Sequence, residues 1–154
     1  MSQRKILIVD DIESNRAILR RYLEDEYEII EACDGEEAIQ VIQEEQLNLE
    51  LVLLDLVMPK KNGFDVLEYM NEFGFIPAIP VIIITVESNY ENEMKAFEFG
   101  VNDFITKPFY PQIVRKRVKN IIDLYETQQN LKQLLDEQVM DTMQLMEELE
   151  GSNG

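Results

Sequence analysis

Five short apolar runs, each followed by an amphipathic stretch, limit what this chain can fold into more than any other feature of it. They are Lys5–Val9, Tyr27–Ala32, Leu51–Leu54, Val81–Ile84 and Phe104–Thr106. Successive side chains of a strand point to opposite faces, so an unbroken apolar run belongs in a sheet covered on both sides. The first, third and fourth runs read this way. Glu28 and Glu31 interrupt the second, which suits a sheet edge. The intervening stretches carry apolar residues at helical spacing: Ile18, Leu19, Tyr22 and Leu23; then Ala38, Ile39 and Ile42; then Phe64, Leu67 and Met70. A β-α unit repeated five times needs crossover connections, so the expected architecture is a parallel sheet with helices on both faces.

The punctuation agrees. Asp34, with Glu37 three residues on, predicts a helix start, and Ser88-Asn89-Tyr90-Glu91 predicts a second one that stops at Gly100. Pro59 and Asn62-Gly63 mark Met58–Gly63 as a loop, and the helix after it should end near Gly74. Cys33 reads as a small buried hydrophobe. As a single cysteine it cannot form an internal disulfide, which points to a reducing, cytoplasmic setting. No apolar run approaches the roughly 18 residues of a membrane span.

The last helix is too long for such a domain. From Pro111 to about Glu150 there is neither glycine nor further proline. Positions 121, 124, 128, 131, 135, 138, 142, 145 and 149 alternate steps of three and four, and six of these nine are apolar. This predicts an imperfect coiled-coil seam and a homodimer, with Gln128, Gln138 and Thr142 weakening the seam while fixing its register. Basic residues Arg115, Lys116, Arg117 and Lys119 come early in the helix and acidic ones late. The expected organisation is a domain over 1–124, a helical extension over 125–150 and a flexible tail over 151–154. An output domain beyond 154 fits an extension of this kind.

Charge then removes whole classes of function. The formal net charge is −17 and there is no histidine. Nucleic-acid binding through this chain is not expected, because phosphate backbones need cationic surface. A histidine triad and a histidine-ligated zinc site are impossible. What remains is at the rim where a parallel sheet gathers its strand C-termini and binds ligands. The first strand ends in Asp10-Asp11, the third in Asp55, the fourth in Thr85 and the fifth in Lys107-Pro108. Carboxylates ~5 Å apart at an effective dielectric of ~20 repel by about 3 kcal/mol per pair. Lys107 offsets part of this and a divalent cation would offset more. Oxygen-only ligands with access to water suit Mg²⁺, with Mn²⁺ as a possible substitute. A cation beside a lysine is a site for a phosphoryl group, and one carboxylate could act as its nucleophile.

Ile6-Leu7-Ile8-Val9-Asp10-Asp11, Leu53-Leu54-Asp55-Leu56-Val57-Met58-Pro59 with Gly63, Ile84-Thr85 and Thr106-Lys107-Pro108-Phe109 together resemble the receiver domain of two-component response regulators, over residues 4 to about 124. The resemblance implies a flavodoxin-like (βα)5 fold, doubly wound, with strand order 2-1-3-4-5. It implies that Asp55 accepts a phosphoryl group from a histidine kinase or a histidine phosphotransfer protein. Asp11, Asp55 and the Val57 carbonyl would hold Mg²⁺, with Asp10 reaching it through a water. Lys107 would pair with Asp55 and then with the phosphoryl group. Thr85 and Phe104 would be the switch pair, and the Lys107-Pro108 bond would be cis. Self-phosphorylation and self-dephosphorylation are the only chemistry expected. Val86, β-branched, should crowd the acyl phosphate, Val57 and Glu87 flank the expected approach of water, and Val57 offers no group to orient it, so slow self-hydrolysis is anticipated, with Glu87 acting in the opposite sense.

Two other classes of function fit less well. A haloacid-dehalogenase-like phosphatase needs a second acid two residues after its nucleophile, which neither Asp10 nor Asp55 has. A dinucleotide enzyme needs a glycine-rich turn after the first strand, and Asp11-Ile12-Glu13-Ser14-Asn15 stands there. The main competitor is an interaction or dimerisation module with a vestigial, non-phosphorylated acidic site.

Overall fold

The computed structural model describes residues 4–58, 60–86 and 90–152. Its strands are β1 (Arg4–Val9), β2 (Tyr27–Ala32), β3 (Leu49–Asp55), β4 (Val81–Thr85) and β5 (Asp103–Thr106). Its helices are α1 (Glu13–Leu23), α2 (Gly35–Glu45), α3 (Gly63–Glu72), α4 (Tyr90–Phe99) and α5 (Pro111–Ser152), with a 3-10 turn at Gln46–Asn48. The strands form one parallel sheet in the order β2-β1-β3-β4-β5. This is the expected doubly wound, flavodoxin-like arrangement. Glu28 and Glu31 do lie on an edge strand.

Alternation along the strands builds two apolar layers. Leu7, Val9, Val52, Leu54, Val81 and Ile83 pack beneath α2, α3 and α4, meeting Ala38, Ile42, Leu67, Met70 and Ala96. Ile6, Ile8, Leu51, Leu53, Ile82 and Ile84 pack beneath α1 and the start of α5, meeting Leu19, Leu23, Val114, Val118 and Ile122. Each fully buried Leu or Ile contributes about 1.5–3 kcal/mol. The layers therefore fix which way the strand ends face, and with them the rim.

The helix ends are more varied than the sequence suggests. Asp34 caps α2 by accepting the Glu37 N–H at 2.8 Å. The Glu37 carboxylate does not return the bond expected of a capping box; it accepts the Cys33 thiol at 2.9 Å. Cys33 itself is exposed, contrary to its expected burial. β2 ends at Ala32, so Cys33 lies past the covered sheet in the turn that leads to the cap. A complete capping box occurs instead at Asn62 and Asp65, opening α3 directly behind the loop. Gly74 and Gly100 adopt φ of 77° and 98°, as terminators of α3 and α4. The cap expected at Ser88-Asn89 lies outside the described residues. Both Ile76-Pro77 and Lys107-Pro108 are cis.

Residues 1–122 and 123–154 separate into two compact units. The second is the continuation of α5, along which Leu124, Leu131, Leu135, Leu145 and Leu149 are exposed. No helix among the described residues is long and apolar enough to cross a membrane.

Candidate phosphoryl and metal site

The C-terminal rim brings Asp10, Asp11 and Asp55 together, each offering a carboxylate oxygen within 4.8 Å of the others. Their positions follow from the strands. β1 ends at Val9, so Asp10 and Asp11 are the first residues past the sheet, and Asp55 is the last of β3. Neither aspartate after β1 caps α1, whose N-cap is Ile12 with no side-chain bond. Asp10 is fully buried, Asp55 is 6% exposed and Asp11 is exposed. Two sequestered carboxylates and one open to water thus share one hollow.

Lys107 is the cation among them. Its Nζ lies 3.2 Å from Asp10 Oδ2 and 3.4 Å from Asp55 Oδ2. It bridges both acids and is slightly nearer the one that the sequence did not assign to it. Its own N–H donates to the Thr85 carbonyl at 2.8 Å, which ties the turn after β5 to the end of β4. Asp10 collects further donors: the Ile12 N–H on Oδ1 at 2.9 Å, and the Asn15 amide at 3.3 Å from Oδ2. Asp55 Oδ1 accepts the Val57 N–H at 3.2 Å. Burial pushes the Asp55 carboxyl above its usual pKa, against the opposing pull of the Lys107 charge and the Val57 N–H; the Asp10 charge pushes the same way as burial.

Gly63 makes the approach of the loop possible. A Cβ there would lie 2.4 Å from the Asp55 carbonyl oxygen, while its N–H donates to the Leu56 carbonyl at 3.0 Å. Only a residue without a side chain lets the chain return so close behind the acid. Val57, two residues past Asp55, is exposed beside it.

Thr85 ends β4, half-buried, opposite Thr106. Phe104 pairs with Ile83 one step further back and packs against the same layer, so Thr85 and Phe104 share a sheet face. Phe104 is not part of the acidic cluster. Its half-buried ring sits edge-on to Phe97 of α4 at 4.9 Å between centroids, and Arg117 of α5 holds its carbonyl at 2.7 Å.

Two contributors were missed from sequence. Asn15 lies in the first turn of α1, where a polar residue facing the rim looks like any solvated position. Arg16 reaches the Asp10 carbonyl at 2.6 Å and Glu31 at 3.1 Å, joining the ends of β1 and β2. Its signal was the acid at the end of an edge strand, which needs a partner.

The donor set fits a hard divalent cation. Three clustered carboxylates with one lysine leave net negative charge, all ligands are oxygen, and Asp11 is open to water.

The family model of the response regulator receiver domain matches residues 6–119. Over 122 residues the chain is 42% identical to "Transcriptional regulatory protein ResD" of Bacillus subtilis, covering 79% of this chain and 49% of that protein. It is 36% identical over 123 residues to "Probable transcriptional regulator ycf27" of Porphyridium aerugineum, again 79% and 49%. The signal receiver domain of a putative Luxo repressor protein from Vibrio parahaemolyticus superposes with a TM-score of 0.76 at 26% identity, covering 84% of this chain and 97% of that one. The chain spans about half the length of the curated relatives it matches.

Proposed function

Because this chain belongs to the family of response regulator receiver domains, we propose that it is a phospho-accepting switch with Asp55 as the acceptor. The observation that carries this is the buried Asp55 carboxylate at the end of β3, bridged to Asp10 by Lys107 and within reach of a water-exposed third acid. The donor is a phosphohistidine on a histidine kinase or a phosphotransfer protein. An Asp55 oxygen attacks phosphorus, the P–N bond breaks, and the leaving imidazole nitrogen keeps the electron pair and takes a proton from solvent. Water later attacks the acyl phosphate, restoring the carboxylate and releasing phosphate.

The chain's own groups do three things here. Lys107 and the Val57 N–H hold both Asp55 oxygens and favour the ionised form that attack requires, against the effect of burial. Lys107 is also placed to follow the phosphoryl charge as it arrives. Thr85, at the adjacent strand end, offers its hydroxyl to the phosphoryl group. Asp11, Asp55 and the Val57 carbonyl would hold Mg²⁺ or Mn²⁺, with Asp10 reaching it through a water. When bound, the cation supplies positive charge against the phosphoryl oxygens.

The switch is a bias between two packings of the β4-α4-β5-α5 face, in which Phe104 has no hydroxyl and works through packing alone. α5 carries that bias onward. We place residues 1–124 as the receiver and 125–150 as an extension through which two copies pair, leading to an output partner or domain. The setting is cytoplasmic.

Incubation with acetyl phosphate and Mg²⁺ tests the reading. Intact mass should rise by one phosphate in the parent chain and stay constant in Asp55→Asn. No gain in the parent would favour an interaction module with a vestigial acidic site.

A further inference from the structure

Asp10 and Asp11 are neighbours in the chain with opposite settings, the first fully buried and the second exposed. The spread of their carboxylates depends on the peptide between them. A peptide is planar, so holding the Asp10 carbonyl oxygen also holds the Asp11 N–H and Cα, from which the second side chain departs. Arg16 of α1 holds this oxygen: its Nη1 donates to the Asp10 carbonyl at 2.6 Å. We propose that Arg16 is a positioning residue, which sets the two acids at the spread a divalent cation needs. The inference rests on the cation site proposed above.

The guanidinium is itself held in place. Its Nε donates to Glu31 Oε1 at 3.1 Å, while Arg20 takes the other Glu31 oxygen at 2.8 Å and donates to the Ile29 carbonyl at 3.3 Å. The Arg16 side chain is only 14% exposed, so water competes little for these bonds. A rigid planar fork can join an acid on β2 to a carbonyl past β1, which the single ammonium of a lysine cannot do in the same geometry. The bonds to Asp10 from Ile12, Asn15 and Lys107 reach its carboxylate. The Arg16 bond reaches the peptide that leads on to Asp11. Charge cannot be the use of this arginine, because a fixed cation beside the hollow opposes the binding of another. By charge alone, losing Arg16 should tighten the hold on Mg²⁺. Loss of positioning should weaken it, and the sign separates the two.

Calorimetric titration of the full chain with Mg²⁺, without a phosphodonor, reads that sign. Arg16→Gln should raise the dissociation constant about tenfold, in the range that outer partners of metal ligands command. Arg16→Lys, which keeps the charge and loses the fork, should raise it too. Arg20→Gln, whose side chain touches Glu31 and Ile29 but not Asp10, should leave it unchanged. Far-UV circular dichroism checks that each variant is folded, and should Arg16→Gln not fold, Arg16→Lys carries the test. An unchanged or lowered constant in either Arg16 variant overturns this inference and leaves the cation site standing. An equal rise in Arg20→Gln also overturns it, since loosening of the β2 edge would then be the cause. A parent chain that does not bind Mg²⁺ overturns the cation site and this inference together.

Discussion

Asp55 is held in a compromise between burial, which favours its neutral form, and Lys107 with the Val57 N–H, which favour the charged one. Burial wins, so the folded state holds this proton more tightly than the unfolded chain, where the ordinary value is 3.8. Ionising Asp55 therefore costs stability: the cost is absent below the unfolded value, grows as pH rises from there to the folded one, and is fully present above it. Asp55→Asn should raise the unfolding free energy at neutral pH, and the gain should shrink towards zero as pH falls below the ordinary carboxylate range. Urea titrations across that range check the sign. A second prediction belongs to Val57, exposed beside the acceptor with no polar group on its side chain. Val57→Asn supplies one to orient water, and the acyl phosphate should decay several-fold faster; an unchanged lifetime, read by mass against time, would contradict this.

β3 and α3 govern the site as elements. Leu53, fully buried between β1 and β4, sets the direction in which Asp55 leaves the sheet. Leu53→Ala should lower stability by about 2–5 kcal/mol in denaturant titrations, through the cavity it leaves. The strands were legible from sequence because a doubly covered strand must be apolar on both sides, and the acids were legible because they interrupt such runs. The caps were read less well. Asp34 was found, but the reciprocal bond of Glu37 went to the Cys33 thiol, and the Asn62/Asp65 box hid in a loop defined by its proline and glycine. Cys33 was misjudged because its exposure depends on where β2 ends rather than on its own chemistry. The links among site residues were illegible for a related reason. The contacts of Lys107 to Asp10 and of Arg16 to Glu31 cross between strands, and only the strand order sets those distances.

At the scale of the molecule, excess negative charge gathers at the rim and along the late part of α5. A cation that binds only the folded chain adds about 1.4 kcal/mol of stability at ten times its dissociation constant. Mg²⁺ should raise the thermal midpoint of the parent chain, and Asp11→Asn, which removes the water-exposed ligand, should abolish most of that shift. An equal shift in both would place the ion elsewhere. The chain spans about half the length of the relatives it matches, and the rim chemistry is tested on this chain alone. The most direct measurement labels the chain with acetyl phosphate and Mg²⁺, reduces the acyl phosphate with borohydride, and locates the modified residue by peptide mass. The account predicts a single site at Asp55. Modification at another carboxylate, or none at all, would contradict it.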